Sequence, residues 1–263
     1  MAIRSLSSRV TAEKRQIMVR TLSGVLPLFI VNEYPKCGGS WFGEMLGDAL
    51  GVPFPRNQAP PLRSCIMHGH YLNQKGLRNV IVIWRDGRDV MTSYYYHCYF
   101  KNDRNNGPLV GLMRRELPFD DYEDVQANLP TFIERMLTRP IWPRFTWQKF
   151  VSRWYHHQGA IHVRYEDLLK SAAGELSRVI AELGRKTPPM ERLSEIVEMH
   201  AFKRKAGRVP GAESKTSFLR KGVAGDWENY FKQEACEIFD HYAGEQLVAL
   251  GYEPDRSWVN RER

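Results

Sequence analysis

The chain has 263 residues, 38 Lys+Arg against 30 Asp+Glu, and a formal net charge of +8. At 43% hydrophobic and 26% charged it reads as an ordinary globular protein, neither disordered nor fibrous, and it is long enough for one large α/β domain. No apolar run approaches the roughly 20 residues a membrane helix needs; the longest, Val25–Val31, is interrupted by Pro27.

Residues 1–24 read as a polar N-terminal segment with a helical turn or two, ahead of a domain spanning 25–263. Basic residues there are not followed by an apolar stretch and cleavage site, so secretion is not expected. Val25–Asn32 reads as a buried strand, followed by a turn-rich loop, Glu33 to Ser40. Ser40 is placed to cap a helix over Trp41–Leu50. Arg63–Met67 and Val80–Trp84 read as strands, and Asp86–Tyr99 as a helix rich in aromatics. Residues 101–139 are polar, broken by Pro108, Pro118 and Pro130, and give no clear element. Then follow a helix over Trp142–His157, a strand over Ile161–Tyr165 and a helix over Asp167–Leu183 that stops at Gly184. Glu191–His200 and Gln233–Leu250 are the last helices. Strands alternating with helices predict a single α/β domain, its mostly parallel central sheet flanked by helices on both faces. In such sheets ligands sit beyond the carboxyl ends of the strands, where the Tyr34–Ser40 loop lies.

Four cysteines, Cys37, Cys65, Cys98 and Cys236, lack CxxC pairing. That argues against a zinc site and a disulfide framework, and predicts a reducing, cytoplasmic location with no metal. The positive charge is concentrated. Between His200 and Gly222 stand Lys203, Arg204, Lys205, Arg208, Lys215, Arg220 and Lys221 against Glu213 alone, an excess of +6. The segment reads either as a solvated basic loop or as a lid over an anion.

Three stretches suit anion chemistry. In Lys36-Cys37-Gly38-Gly39-Ser40-Trp41, two glycines let backbone N–H groups face a concavity, a helix start adds a positive dipole end, and Lys36 adds a point charge. This P-loop-like stretch is not a Walker A loop, because the lysine precedes the glycines; alone, it equally suits a tight turn. Arg85 closes the third strand and Ser93 lies two helical turns on; a guanidinium there suits a phosphate, although Asp86 and Asp89 favour a structural ion pair. Phe218-Leu219-Arg220-Lys221-Gly222, running on to Gly225-Asp226-Trp227, suits a backbone closing over an anion, but by itself reads as a basic loop.

Together these stretches resemble the sulfotransferases that use 3′-phosphoadenosine 5′-phosphosulfate (PAPS), especially their cytosolic branch. That family opens with Tyr-Pro-Lys-Ser-Gly-Thr-Thr-Trp, against Tyr-Pro-Lys-Cys-Gly-Gly-Ser-Trp at 34–41 here. Its strand-end Arg and the Ser eight residues on match Arg85 and Ser93; its Tyr-Glu-Asp matches Tyr165-Glu166-Asp167. Its Phe-Met-Arg-Lys-Gly-x-x-Gly-Asp-Trp matches 218–227 with Leu219 for Met. The resemblance implies that Lys36 and the amides of Gly38, Gly39 and Ser40 hold the 5′-phosphosulfate, beside Cys37. It implies that Trp41 offers a face to adenine with Tyr165 at its edge. Arg85 and Ser93 would hold the 3′-phosphate, with Phe218, Leu219, Arg220, Lys221 and Gly222 closing from the other side. The family's base is a His after its second strand, which implies His68 as catalytic base with Lys36 stabilising the leaving phosphate; His70, two residues on, is the reserve.

The match has gaps. Cys37 and Gly39 stand for Ser and Thr, and Ile66 for a Lys common two residues before the base. His200-Ala201-Phe202 stands for the Thr-Ser-Phe that opens the lid, and only Glu237 survives of the family's dimer motif, which leaves the oligomeric state open. The implied activity is sulfuryl transfer to the hydroxyl, or amine, of a small phenolic or hydrophobic acceptor, with desulfated PAP as product and no nucleic-acid or membrane partner. Tyr94, Tyr95, Tyr96, Tyr99, Phe100, Trp142, Trp147 and Trp154 are expected to be mostly packing, with a few lining an acceptor pocket. Asp120, Asp121, Glu123 and Asp124 read as a solvated acidic loop. A nucleotide kinase or NTPase, and a non-catalytic module binding adenosine bisphosphate, are the rival readings.

Overall fold

The computed structural model describes residues 6–56 and 58–261. In chain order the elements are α1 (Leu6–Leu22), β1 (Leu28–Glu33), α2 (Gly39–Leu50), β2 (Cys65–Gly69), β3 (Val80–Trp84) and α3 (Gly87–Tyr99). They continue with α4 (Gly107–Glu116), α5 (Val125–Thr138), α6 (Trp147–Trp154), β4 (Ala160–Arg164) and α7 (Tyr165–Glu182). The last are α8 (Met190–Met199), α9 (Phe202–Ala206) and α10 (Gln233–Ala249). No helix among the described residues is long and apolar enough to cross a membrane.

The described residues fall into two compact units. The first is formed by residues 6–56, 58–85 and 157–209 and contains the sheet. Its strand order is β2-β1-β3-β4, all parallel, with Val31 opposite both His68 and Ile81. β1, β2 and β3 are buried along their whole length, as strands covered on both faces must be, and their apolar runs were for that reason readable. Helix α2 packs on β1 and β2, α7 on β3 and β4, and α8 on both helices. β1 lies between β2 and β3, so the chain leaves it to one side and returns on the other. The crevice between the carboxyl ends of β1 and β3 is therefore the switch point where such sheets take ligands.

The second unit is formed by residues 86–156 and 210–261. Its helices α3, α4, α5, α6 and α10 enclose an aromatic core in which Tyr94, Tyr95, Tyr99, Phe132, Trp147, Trp154, Phe239 and Trp258 are fully buried. Arg88 is sandwiched inside it, 3.8 Å from the Trp227 ring centre and 4.6 Å from that of Trp258, and paired with Asp86 and Glu253 at 2.7 Å each.

Several expectations need correction. The N-terminal segment is a 17-residue helix, not a turn or two. The stretch 101–139 holds α4 and α5: Pro108 sits in the first turn of α4, where its missing N–H costs nothing, and Pro130 is tolerated inside α5 among buried Leu129, Phe132 and Ile133. The helix expected over 142–157 is only Trp147–Trp154, started by Thr146, whose hydroxyl accepts from Lys149 N. Helix α2 begins two residues early, at Gly39, capped by Gly38 rather than Ser40. β2 extends to Gly69, so His68 lies within the strand, and β4 ends at Arg164, so Tyr165 opens α7. All four cysteines are buried and unbridged.

Candidate active site

In the first unit, the strand ends bring several of the expected residues together. β1 delivers the loop Tyr34–Gly38, in which Lys36 (φ 76°) and Gly38 (φ 99°) both adopt the left-handed conformation. A Cβ on Gly38 would come within 2.7 Å of the Tyr165 ring, so the loop lies flat against that side chain only because the glycine is bare. Arg85, buried at the end of β3, donates from Nη1 to the Lys36 carbonyl at 3.1 Å and lies 4.5 Å over the Tyr165 ring. Asp86 pairs with Arg88, and Asp89 accepts from the backbone of Gly225 at 2.8 Å and Trp227 at 2.9 Å. Trp41 meets Tyr165 edge-on at 6.2 Å, and its indole N–H donates to the His200 carbonyl at 3.0 Å. Cys37 is buried, and burial drives its thiol well above the ordinary range.

His68 in β2 is 6% exposed, and its Nε2 lies 2.8 Å from Glu33 Oε1. The other carboxylate oxygen accepts the Gly39 N–H at 2.5 Å. That amide is therefore engaged inside the protein, against the expectation that it faces an anion. Burial pushes the Glu33 carboxyl upward, but the His68 hydrogen bond, the His68 and His70 charges and the Gly39 amide outweigh it and hold it below its usual value. His70 donates from Nδ1 to the Glu33 carbonyl at 2.8 Å; burial and the nearby His68 push its imidazole down to about 4. One ligand-type atom of each of Glu33, His68 and His70 lies within 4.8 Å of the others, and the hydrogen bonds among them account for that approach. Glu33 was missed in the sequence. The available signal was an acid closing an apolar strand, paired with a glycine where the resembled motif has Thr.

The second unit brings another subset together. Arg220 lies 4.6 Å over the Tyr96 ring and pairs with Glu213 and Asp226. Ser93 lies one turn before Tyr96 on α3, hence on the same side of the helix as the Arg220 stack. Lys221 pairs with Asp226, Gly222 takes a left-handed φ of 68°, and Phe218 N donates to Asp103 at 2.9 Å.

The basic segment is not a free cationic surface. In the first unit Lys205 pairs with Glu44, and Arg204 approaches Glu198 at 3.9 Å. In the second, Lys215 pairs with Glu123, while Arg220 and Lys221 share Asp226. His200 Nε2 lies 2.6 Å from Asp48 Oδ2. The acidic cluster is also put to structural use: Asp124 caps α5, and Asp121 accepts from Glu123 N at 2.8 Å. Most of the aromatics singled out in the sequence are core, as expected; Phe100 and Trp142 stay half-buried.

Comparison with known proteins agrees with this architecture. The family model described as "Sulfotransferase domain" matches residues 58–251. That range includes His68, Arg85, Ser93, Tyr165 and the 218–222 loop, and begins after the Lys36 loop. Bovine Sulfotransferase 1A1 is 24% identical over 263 aligned residues, covering 81% of both chains. The rat protein of the same name is 27% identical, covering 81% of this chain and 82% of its own. Among solved structures, a mouse sulfotransferase complexed with PAP superimposes with a TM-score of 0.63 at 18% identity, covering 90% of this chain and 91% of that one. A retinol dehydratase complexed with retinol and PAP gives 0.58 at 15% identity, covering 91% and 86%.

Proposed function

The chain belongs to the sulfotransferase family, and we propose that it moves the sulfuryl group of PAPS to the hydroxyl, or amine, of a small phenolic or hydrophobic acceptor, leaving PAP. Residues 25–263 are taken as the catalytic domain. The observation that carries the reading is the gathering of the Lys36 loop, Arg85, Tyr165 and Trp41 at the carboxyl ends of β1 and β3, with His68 on the neighbouring strand. PAP in the mouse sulfotransferase and in retinol dehydratase, both of this fold, supports the donor assignment.

In this reading Lys36 and the amides of Gly38 and Ser40 hold the 5′-phosphosulfate, and Trp41 and Tyr165 frame the adenine. Arg85, Ser93 and the loop Phe218–Gly222 hold the 3′-phosphate, with Arg220 and Lys221 as its cations. The acceptor oxygen attacks sulfur in line. A new S–O bond forms as the bond to the bridging oxygen breaks, and the electron pair leaves with PAP. Lys36 stabilises the charge growing on that phosphate. The acceptor proton passes to His68. His70 is pushed down to about 4 and its Nδ1–H is bound to the Glu33 carbonyl, so it is poorly placed to take a proton at neutral pH. Phe100 and Trp142 are the half-buried aromatics available to an apolar acceptor. The unbridged cysteines suit a reducing, cytoplasmic setting.

The test is PAPS turnover against a panel of phenols, hydrophobic alcohols and amines, reading PAP release. We expect His68→Ala to lose about 100-fold or more in kcat while PAP binds as in the unmodified protein. No turnover of PAPS with any acceptor, or full activity in His68→Ala, defeats the reading or its base assignment respectively.

A further inference from the structure

Glu33 is an acid at the end of a fully buried strand, 4% exposed, and its two oxygens serve two different partners. Oε1 faces His68 Nε2 at 2.8 Å, and Oε2 takes the Gly39 N–H at 2.5 Å. A carboxylate can only accept, so the proton in the first of these bonds belongs to Nε2. The other imidazole nitrogen, Nδ1, has no hydrogen-bond partner among the described residues. The ring is thus held with its N–H turned inward to Glu33 and its lone pair on Nδ1.

From this geometry we infer that Glu33 is a positioning residue, which fixes the tautomer of His68 and leaves Nδ1 as the atom that receives the acceptor's proton. The inference rests on the reading of His68 as the base and extends it. When Nδ1 takes the proton the ring becomes an imidazolium, and the Glu33 carboxylate, already seated against Nε2–H, stabilises it without rearrangement. The same carboxylate ties His68 to the first turn of α2, because Gly39 is its second donor. The site is shaped for this arrangement. A Cβ on Gly39 would stand 2.8 Å from Glu33 Cδ, so the Thr found there in the resembled motif has no room while Glu33 is in place. Glu33 and Gly39 form a matched pair.

Glu33→Gln isolates the effect. A glutamine offers one acceptor oxygen to two donors. The Gly39 amide cannot give up its proton, but the imidazole can move its own, so the glutamine oxygen stays with Gly39 and its NH₂ turns to His68. The ring then flips to the Nδ1–H tautomer, and the lone pair faces inward, away from the acceptor. The phosphosulfate loop, still bonded at Gly39, keeps its shape.

The experiment combines ¹⁵N-histidine NMR with kinetics. In the unmodified protein with PAP bound, His68 is expected as the Nε2–H tautomer; in Glu33→Gln it is expected as Nδ1–H. PAP affinity should stay within about twofold, while kcat with the best acceptor of the panel falls roughly 100-fold or more and KM for PAPS holds. A purely structural role would instead lower stability and PAP affinity and spare the kcat of the folded fraction. An Nδ1–H tautomer in the unmodified protein overturns the inference, and that spectrum decides even if Glu33→Gln does not fold. So does a Glu33→Gln kcat within about threefold of the unmodified enzyme. Full activity in His68→Ala removes the base itself, a failure distinguishable from that of Glu33 because the tautomer is read without turnover.

Discussion

At Gly38 and Gly39 the absence of one carbon sets the geometry of the loop. Gly38 is held twice, by a φ of 99° and by the Tyr165 ring. Gly39 is held by the Glu33 carboxylate, which two hydrogen bonds prevent from moving aside. Gly39→Ala is therefore expected to destabilise by about 1–3 kcal/mol in urea unfolding. Gly111 provides the contrast. It lies inside α4 with open space where a Cβ would go, so Gly111→Ala should leave stability unchanged or raise it by about 0.5–1 kcal/mol. Equal losses at the two positions would mean that backbone entropy, not the Glu33 contact, governs Gly39. Lys36, Arg85, Tyr165 and His68 were legible through the motifs that carry the family resemblance, each of which lies in or just beyond a strand. Glu33 was hidden for the opposite reason. A lone acid beside a turn normally faces solvent, and only the fold shows that two donors await it.

Among the elements, the 225–227 turn depends on a residue far away in sequence. Asp89, in the first turn of α3, accepts from the backbone of both Gly225 and Trp227. Asp226 between them binds Arg220 and Lys221, so α3 indirectly sets where those two cations lie. Asp89→Ala leaves two amides without their acceptor and is expected to cost on the order of 3 kcal/mol in urea unfolding, together with a loss of PAP affinity measured by calorimetry. Asp89→Asn keeps one acceptor oxygen and should fall between the two. An Asp89→Ala protein as stable as the parent would show the turn to be self-supporting. Elements themselves were readable in proportion to their burial. β3 has the bounds its sequence suggests, since Val80–Trp84 is apolar throughout and bracketed by Asn79 and Arg85. α4 and α5 were obscured because Pro108 and Pro130 usually signal a break, whereas here one occupies a first turn and the other is outweighed by the apolar face around it.

For the whole molecule, acid should weaken the fold in two stages. Burial lowers His70 from the ordinary 6.5 to about 4, so between those values the unfolded chain binds a proton that the native chain refuses. Stability held above about pH 6.5 is lost as pH falls toward 4. Glu33, lowered from 4.5, acts below that window: its contribution is present above 4.5 and disappears as pH falls through its lower native value. Urea midpoints measured from pH 7 to 4.5 should therefore decline more steeply in the unmodified protein than in His70→Gln, and parallel curves would contradict the assignment. The four thiols add a means of following such events one unit at a time. Cys37 and Cys65 belong to the sheet unit, Cys98 and Cys236 to the helical one, and all are buried and unbridged. Burial also raises Cys37 well above its usual value and Cys65 to about 11, so neither is nucleophilic at rest. An alkylating reagent can reach each sulfur only during a transient opening of its own surroundings. Peptide mass spectrometry of the alkylated chain would thus report separate opening rates for the two units from one sample, without any engineered probe.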